Sequence, residues 1–258
     1  METLNLKNRT YYLVLTTALT LLILALGALI FINQRKARIE ESEKEIISVA
    51  KSKIEYFSRW YADEINDAKI ITSGKTFQQK FINWEKDKSA INLKEFAEVL
   101  TQLKHEHDYE EICLTDINGE IILPGSFLKC KEKIIKELLK NFSTENFPLF
   151  SDLQYCKDEK RAHLFFINPV SNFQHFIAFE LNSEKAIYNY LNQWPTPSNT
   201  GEIYLAREHN DSLLVISELR FSPGSAFKFR YSLDDANAAV VKASKGYTGI
   251  VHAIDYRG

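Results

Sequence analysis

Residues 110–123 read EEICLTDINGEIIL. Glu110 to Asp116, with Ile112-Cys113-Leu114 at its centre, reads as a strand. Asn118-Gly119 follows, and both residues tolerate positive φ, so the pair predicts a tight hairpin. Residues 120–123 are the return strand. Just upstream the period is helical: Leu93, Phe96, Ala97, Leu100 and Leu103 form one buried face. Asn92 and Glu95 predict an N-x-x-E capping box at its start.

Downstream, residues 131–142 read as an amphipathic helix. Residues 149–154, 163–169 and 175–181 read as strands, the last two joined by a hairpin at Ser171-Asn172. The order strand, strand, helix and three antiparallel strands predicts one antiparallel sheet with helices on a single face, an α+β architecture. A helix over 184–193 capped by Asn182 or Ser183 closes this lobe. The Pro-rich stretch from Trp194 to Gly201 is a linker. A second, smaller set of elements follows. Strands are predicted over 202–207, 213–219, 227–231 and 249–254, with a helix over 234–244. A strand followed by a turn calls for a pairing partner, so this second lobe is expected to be incomplete.

Toward the N-terminus, Ile46, Ala50, Ile54, Phe57, Tyr61, Ile65, Ala68 and Ile71 recur three or four residues apart. They predict a long helix that ends at Gly74. It follows residues 11–32, which contain no charged residue. As a helix these would extend about 33 Å, matching the roughly 30 Å hydrocarbon core of a bilayer. The run outlasts a signal-peptide core, so an uncleaved transmembrane anchor is expected. Lys and Arg lie on both sides of it, and counting them leaves the orientation open.

The chain has 258 residues, 45% of them hydrophobic, and a net charge of −2. That balance excludes whole-chain disorder and argues against a nucleic-acid partner. Three cysteines are too few for a disulfide scaffold. Cys130 and Cys156 leave two alternatives open, a bridge formed outside the cytoplasm or separate thiols, with three unpaired thiols as the default. His105, His107 and Asp108 gather ligand-type side chains. The two His are two residues apart at a helix end and diverge, so no metal is expected there. No nucleophile elbow, HExxH, Walker loop or GxGxxG occurs; neither catalysis nor a cofactor is expected.

The strand–helix order resembles PAS-like sensor domains. Trp194-Pro195-Thr196-Pro197-Ser198, residues 202–207, Ser217-Glu218-Leu219-Arg220, Gly249-Ile250-Val251 and Asp255-Tyr256-Arg257-Gly258 resemble the membrane-proximal half of a double-Cache sensor region. Phe150-Ser151-Asp152-Leu153 and Asn168-Pro169 fit the membrane-distal half. The resemblance implies the extracytoplasmic input region of a bacterial histidine kinase or diguanylate cyclase receptor, with the enzymatic module outside this chain. It also implies five parts: a cytoplasmic tail (1–10), a transmembrane helix (11–32), a signalling and dimerisation helix (33–75), a distal lobe (76–193) and a truncated proximal lobe (194–258). Arg59-Trp60-Tyr61 matches only part of the amino-acid-binding signature of some such receptors, so no ligand class transfers.

A PAS-like sheet binds ligands on its concave face. Asp152, Tyr155, Arg161, His163 and Phe165 lie on or beside the strands that would floor such a pocket, and they are the expected ligand-binding residues. The expected partners are a small molecule, the lipid bilayer and a second copy of the chain paired through the long helix. The alternative is a membrane-anchored structural protein that binds a partner protein and no small molecule.

Overall fold

A computed structural model describes residues 2–124, 128–140, 142–143, 147–170, 172–195 and 198–258, with side chains from residue 11 onward. The chain divides into two compact units, residues 1–52 and 53–258. A single helix, α1 (Glu2–Ser73), contributes to both. Its apolar part has a mean hydropathy of 2.6 and is fully exposed, the length and composition of a membrane span.

The second unit is α+β. After α1 come α2 (Lys75–Lys86) and α3 (Ala90–Glu106), then β1 (Glu111–Asp116) and β2 (Ile121–Leu123). Next are α4 (Lys129–Lys140), β3 (Leu149–Phe150), β4 (Gln154–Cys156), β5 (Arg161–Val170) and β6 (His175–Leu181). These strands form one antiparallel sheet in the order β2-β1-β6-β5-β3, with β4 also paired to β5. The hairpin at Asn118-Gly119 forms as expected, with Gly119 at φ +78°. A Cβ there would meet Lys136 Cγ at 2.9 Å, so glycine also lets α4 approach the turn.

Side-chain alternation sends Leu164, Phe166, Ile177, Phe179 and Leu181 to one face, where Ala68, Phe77, Phe81, Trp84 and Phe96 cover them. Phe165, Ile167, Phe176, Ala178 and Cys113 go to the other, under Ile134, Ile135 and Leu139 of α4. Helices therefore cover both faces, not one as the element order implied. Strands β5 and β6 are buried along nearly their whole length, so neither has a solvent side.

Four other expectations are corrected. Helix α2 went unread, although Phe77, Phe81 and Trp84 recur at i, i+4 and i+7 and are buried. Helix α3 is capped by Ser89, which accepts from Asn92 N; the Asn92 side chain donates to Asp87 instead. The 149–154 strand is broken at Ser151, whose hydroxyl accepts from Phe165 N at 2.6 Å. Cys130 and Cys156 are joined in a disulfide that ties α4 to β4, which overturns the default of three unpaired thiols; Cys113 is free and buried. The Ser171 turn position and the linker residues Thr196 and Pro197 lie outside the described residues.

The segment after β6 opens with a π-helical turn, η1 (Glu184–Tyr188), and continues as α5 (Asn189–Asn192). The Asn189 N–H donates to Glu184 O, five residues back. Asn182 Oδ1 accepts from Lys185 N and caps the turn. The second sheet is antiparallel, β7 (Ala206–His209), β8 (Ser212–Val215) and β9 (Arg230–Ser232), with β8 central. Leu213 packs with Ala238 and with Val241 of α6 (Ala239–Ser244). Leu214 and Ile216 turn the other way and join the large core. The strand expected over 249–254 does not form. Among the described residues it pairs with no strand.

Candidate functional site: a cleft between the two sheets

A cleft of about 270 Å³ opens where the two sheets meet. One wall is the β4–β5 hairpin, with Tyr155, Lys160 and Arg161. The second is η1–α5, with Glu184 and Tyr188, and the third, the loop between β8 and β9, carries Glu218 and Phe227. Tyr155 of β4 and Phe227, in the loop between β8 and β9, meet across the cleft, their ring centroids 5.3 Å apart. The Tyr188 hydroxyl donates to Ile216 O at 2.9 Å and joins the second wall to the third. Burial, aided by the negative charge of Glu184, pushes the Tyr188 phenol well above its ordinary range, so it stays a donor. Glu218 Oε2 accepts from Gly224 N and Ser225 N, which fixes the third wall. The cleft thus offers cationic, anionic and aromatic side chains on walls that are hydrogen-bonded to one another. That suits a small molecule with both polar and apolar parts.

Behind the first wall lies a buried ionic cluster. Glu180 and His163 are each 1% exposed. His163 Nδ1 lies 2.6 Å from Glu180 Oε1, and Lys131 Nζ lies 2.9 Å from Glu180 Oε2. His163 Nε2 lies 3.2 Å from Glu159 Oε2 without the alignment of a hydrogen bond. Arg161 extends the cluster to the cleft through Glu159 at 2.8 Å and Glu110 at 3.3 Å. Burial alone would raise the carboxyl of Glu180; its hydrogen bonds with His163 and Lys131 hold it below the ordinary range instead. For Glu159 burial again opposes ionisation, and Arg161 reverses it.

Glu159, His163 and Glu180 place ligand atoms within 4.8 Å of one another, as do Cys130, Cys156 and His163. In the first set Lys131 Nζ, 2.9 and 3.5 Å from the two carboxylates, already supplies the positive charge. In the second the sulfurs are bonded to each other.

The five residues expected to bind ligand do not converge. Tyr155 and Arg161 line the cleft. Asp152 is engaged by Arg207 of β7, whose Nη1 donates to it at 2.8 Å and to Leu153 O at 3.1 Å, so it joins the two sheets. His163 and Phe165 point to the α4 side of the sheet and are buried there. Sequence reasoning missed Tyr188, Glu218 and Phe227. They come from three separate segments, and no local spacing links them.

No protein-family model matches the chain, and no curated protein matches it. Among solved structures it is similar to the extracellular domain of a chain described as a histidine kinase, vpHK1S-Z8. Identity is 11%, the TM-score is 0.44, and the match covers 72% of this chain and 88% of that one. It is also similar to a domain described as that of a sensory box/GGDEF family protein from Vibrio parahaemolyticus. There identity is 12%, the TM-score is 0.41, and the coverage is 72% and 93%.

Proposed function

We propose that the chain is the extracytoplasmic input region of a bacterial membrane receptor, of double-Cache type, serving a histidine kinase or diguanylate cyclase module. In this reading residues 11–32 cross the membrane, the residues from about 33 onward lie outside, and a small solute binds between the sheets. The carrying observation is the cleft itself, ligand-sized and walled by the large sheet, by η1–α5 and by the β8–β9 loop. The Cys130–Cys156 bridge supports an oxidising compartment. Two copies pair through the long helix, where Ile54 and Ile70 are 67% and 58% exposed. Binding acts by shifting the population between two arrangements of cleft and helix.

The test is a thermal-shift screen of the full chain in detergent against amino acids, organic acids and amines, repeated on Ala226→Trp, which fills the cleft. A ligand present at 100 times its Kd should add about 2.7 kcal/mol of stability. The reading requires a compound that raises Tm by several degrees in the native chain and not in the variant. A compound that stabilises both equally binds elsewhere, and a screen without any stabilising compound removes the sensing role.

A further inference from the structure

The cleft wall η1–α5 has a back side, and that side rests on α1. Lys53 is 7% exposed. Its ammonium donates to Tyr190 O, and to Gln193 O at 2.6 Å. It also lies 3.9 Å from the centroid of the Tyr190 ring. The Tyr56 ring stacks on Tyr190 at 3.5 Å, and Phe57 meets the same ring edge-on at 5.7 Å. Tyr190 is thus held by three side chains from little more than one turn of α1, while Tyr188, Leu191 and Asn192 on the same short segment line the cleft.

The chemistry of the Lys53 contact is specific. The last carbonyls of a helical segment have no partner within it and carry partial negative charge. The Lys53 ammonium joins the Gln193 N–H on Tyr190 O and also donates to Gln193 O, and the aromatic face adds a cation–π contact. Burial pushes the Lys53 ammonium below its ordinary range, and those carbonyls and that ring are the contacts that meet its charge. Any displacement of the wall away from α1 would strand the charge. Helix and wall must therefore move together, or the contact must be replaced as a whole.

We propose that Lys53 is the positioning residue that couples the cleft to the long helix. The ammonium locks the end of the cleft wall to α1, and a change in cleft occupancy reaches the helix through that lock. This rests on the reading of the cleft as the ligand site and names how that site is connected.

Hydrogen exchange on the full chain in lipid nanodiscs tests the coupling without a known ligand. Ala226→Trp serves as the occupant, and exchange is followed in peptides covering 53–73 and 184–193. In the chain with Lys53, Ala226→Trp should change exchange in both peptides, in 53–73 by about fivefold or more, the low end of ordinary coupling between sites. In Lys53→Met the response should stay in 184–193 and vanish from 53–73; Lys53→Arg, which can still reach both carbonyls, should restore it. Should Lys53→Met lose its fold, Lys53→Gln, with a donor but no charge, takes its place. A purely structural role for Lys53 would give additive effects, with the Ala226→Trp response in 53–73 unchanged by the Lys53 substitution. That result overturns the proposal, and so does an unresponsive 53–73 peptide in the native chain. The compound screen is independent: if it fails while this cycle shows coupling, the sensing role falls and the lock stands.

Discussion

On the face of the large sheet covered by α2 and α3, Phe166, Ile177 and Phe179 sit in a cluster of aromatic and aliphatic side chains. On the α4 face, Phe165, Ile167 and Phe176 form a similar cluster, but at one end of β5 it gives way to Glu180, His163 and Lys131. The two faces use the same strands and alternate residues. The first is held by transfer from water and close packing, which are indifferent to proton concentration. The second adds charges whose burial is costly and whose pairing must be complete. Lys131 reaches from α4 to Glu180 of β6, so the pair ties that helix to the sheet.

The contrast can be broken first on the dry face. Phe179→Ala should cost about 4 kcal/mol, with the same loss in urea unfolding at pH 7 and at pH 4. On the charged face, Lys131→Met leaves Glu180 buried and short of a partner and should cost about 3 kcal/mol at pH 7. The deficit should shrink in acid. The Glu180 carboxyl is held below its ordinary value in the folded chain, so its contribution is present above the ordinary carboxylate range. That contribution is lost as pH falls through the folded value. A deficit equally large at pH 4 would remove the distinction between the faces. Smaller still, opening the Cys130–Cys156 bridge, which spans 26 residues, should cost about 2–3 kcal/mol in a reversible unfolding assay on Cys130→Ser/Cys156→Ser. The loss should appear first as faster exchange in α4.

Local pattern disclosed the β1–β2 hairpin, because Asn118-Gly119 sits between two short runs with apolar centres. It gave β6 to the residue, because His175–Leu181 is apolar and bounded by turn residues. It did not disclose α2, whose three aromatic anchors sit among Lys, Gln and Asn. The α3 cap was misread because Ser89 and Asn92 both suit that role. The cleft and the ionic cluster were hidden for a different reason. Lys131 and Glu180 are 49 residues apart, and Tyr155 reaches Phe227 only when two sheets meet. Such neighbours are products of topology, and a linear pattern carries no trace of them. Arg161, His163 and Phe165 alternate onto the same face of β5; Arg161, at the strand's open end, lines the cleft, while His163 and Phe165 lie deeper and are buried.

The π turn Glu184–Tyr188 holds one residue more than the ordinary helical repeat. Rewinding it would pass the spare residue along the segment and swing every later side chain by about 100° around the axis. Tyr190 would then face away from Lys53, and a different side of α5 would look into the cleft. Such a rewinding would proceed in whole-residue clicks, as a ratchet does, and not as a graded slide.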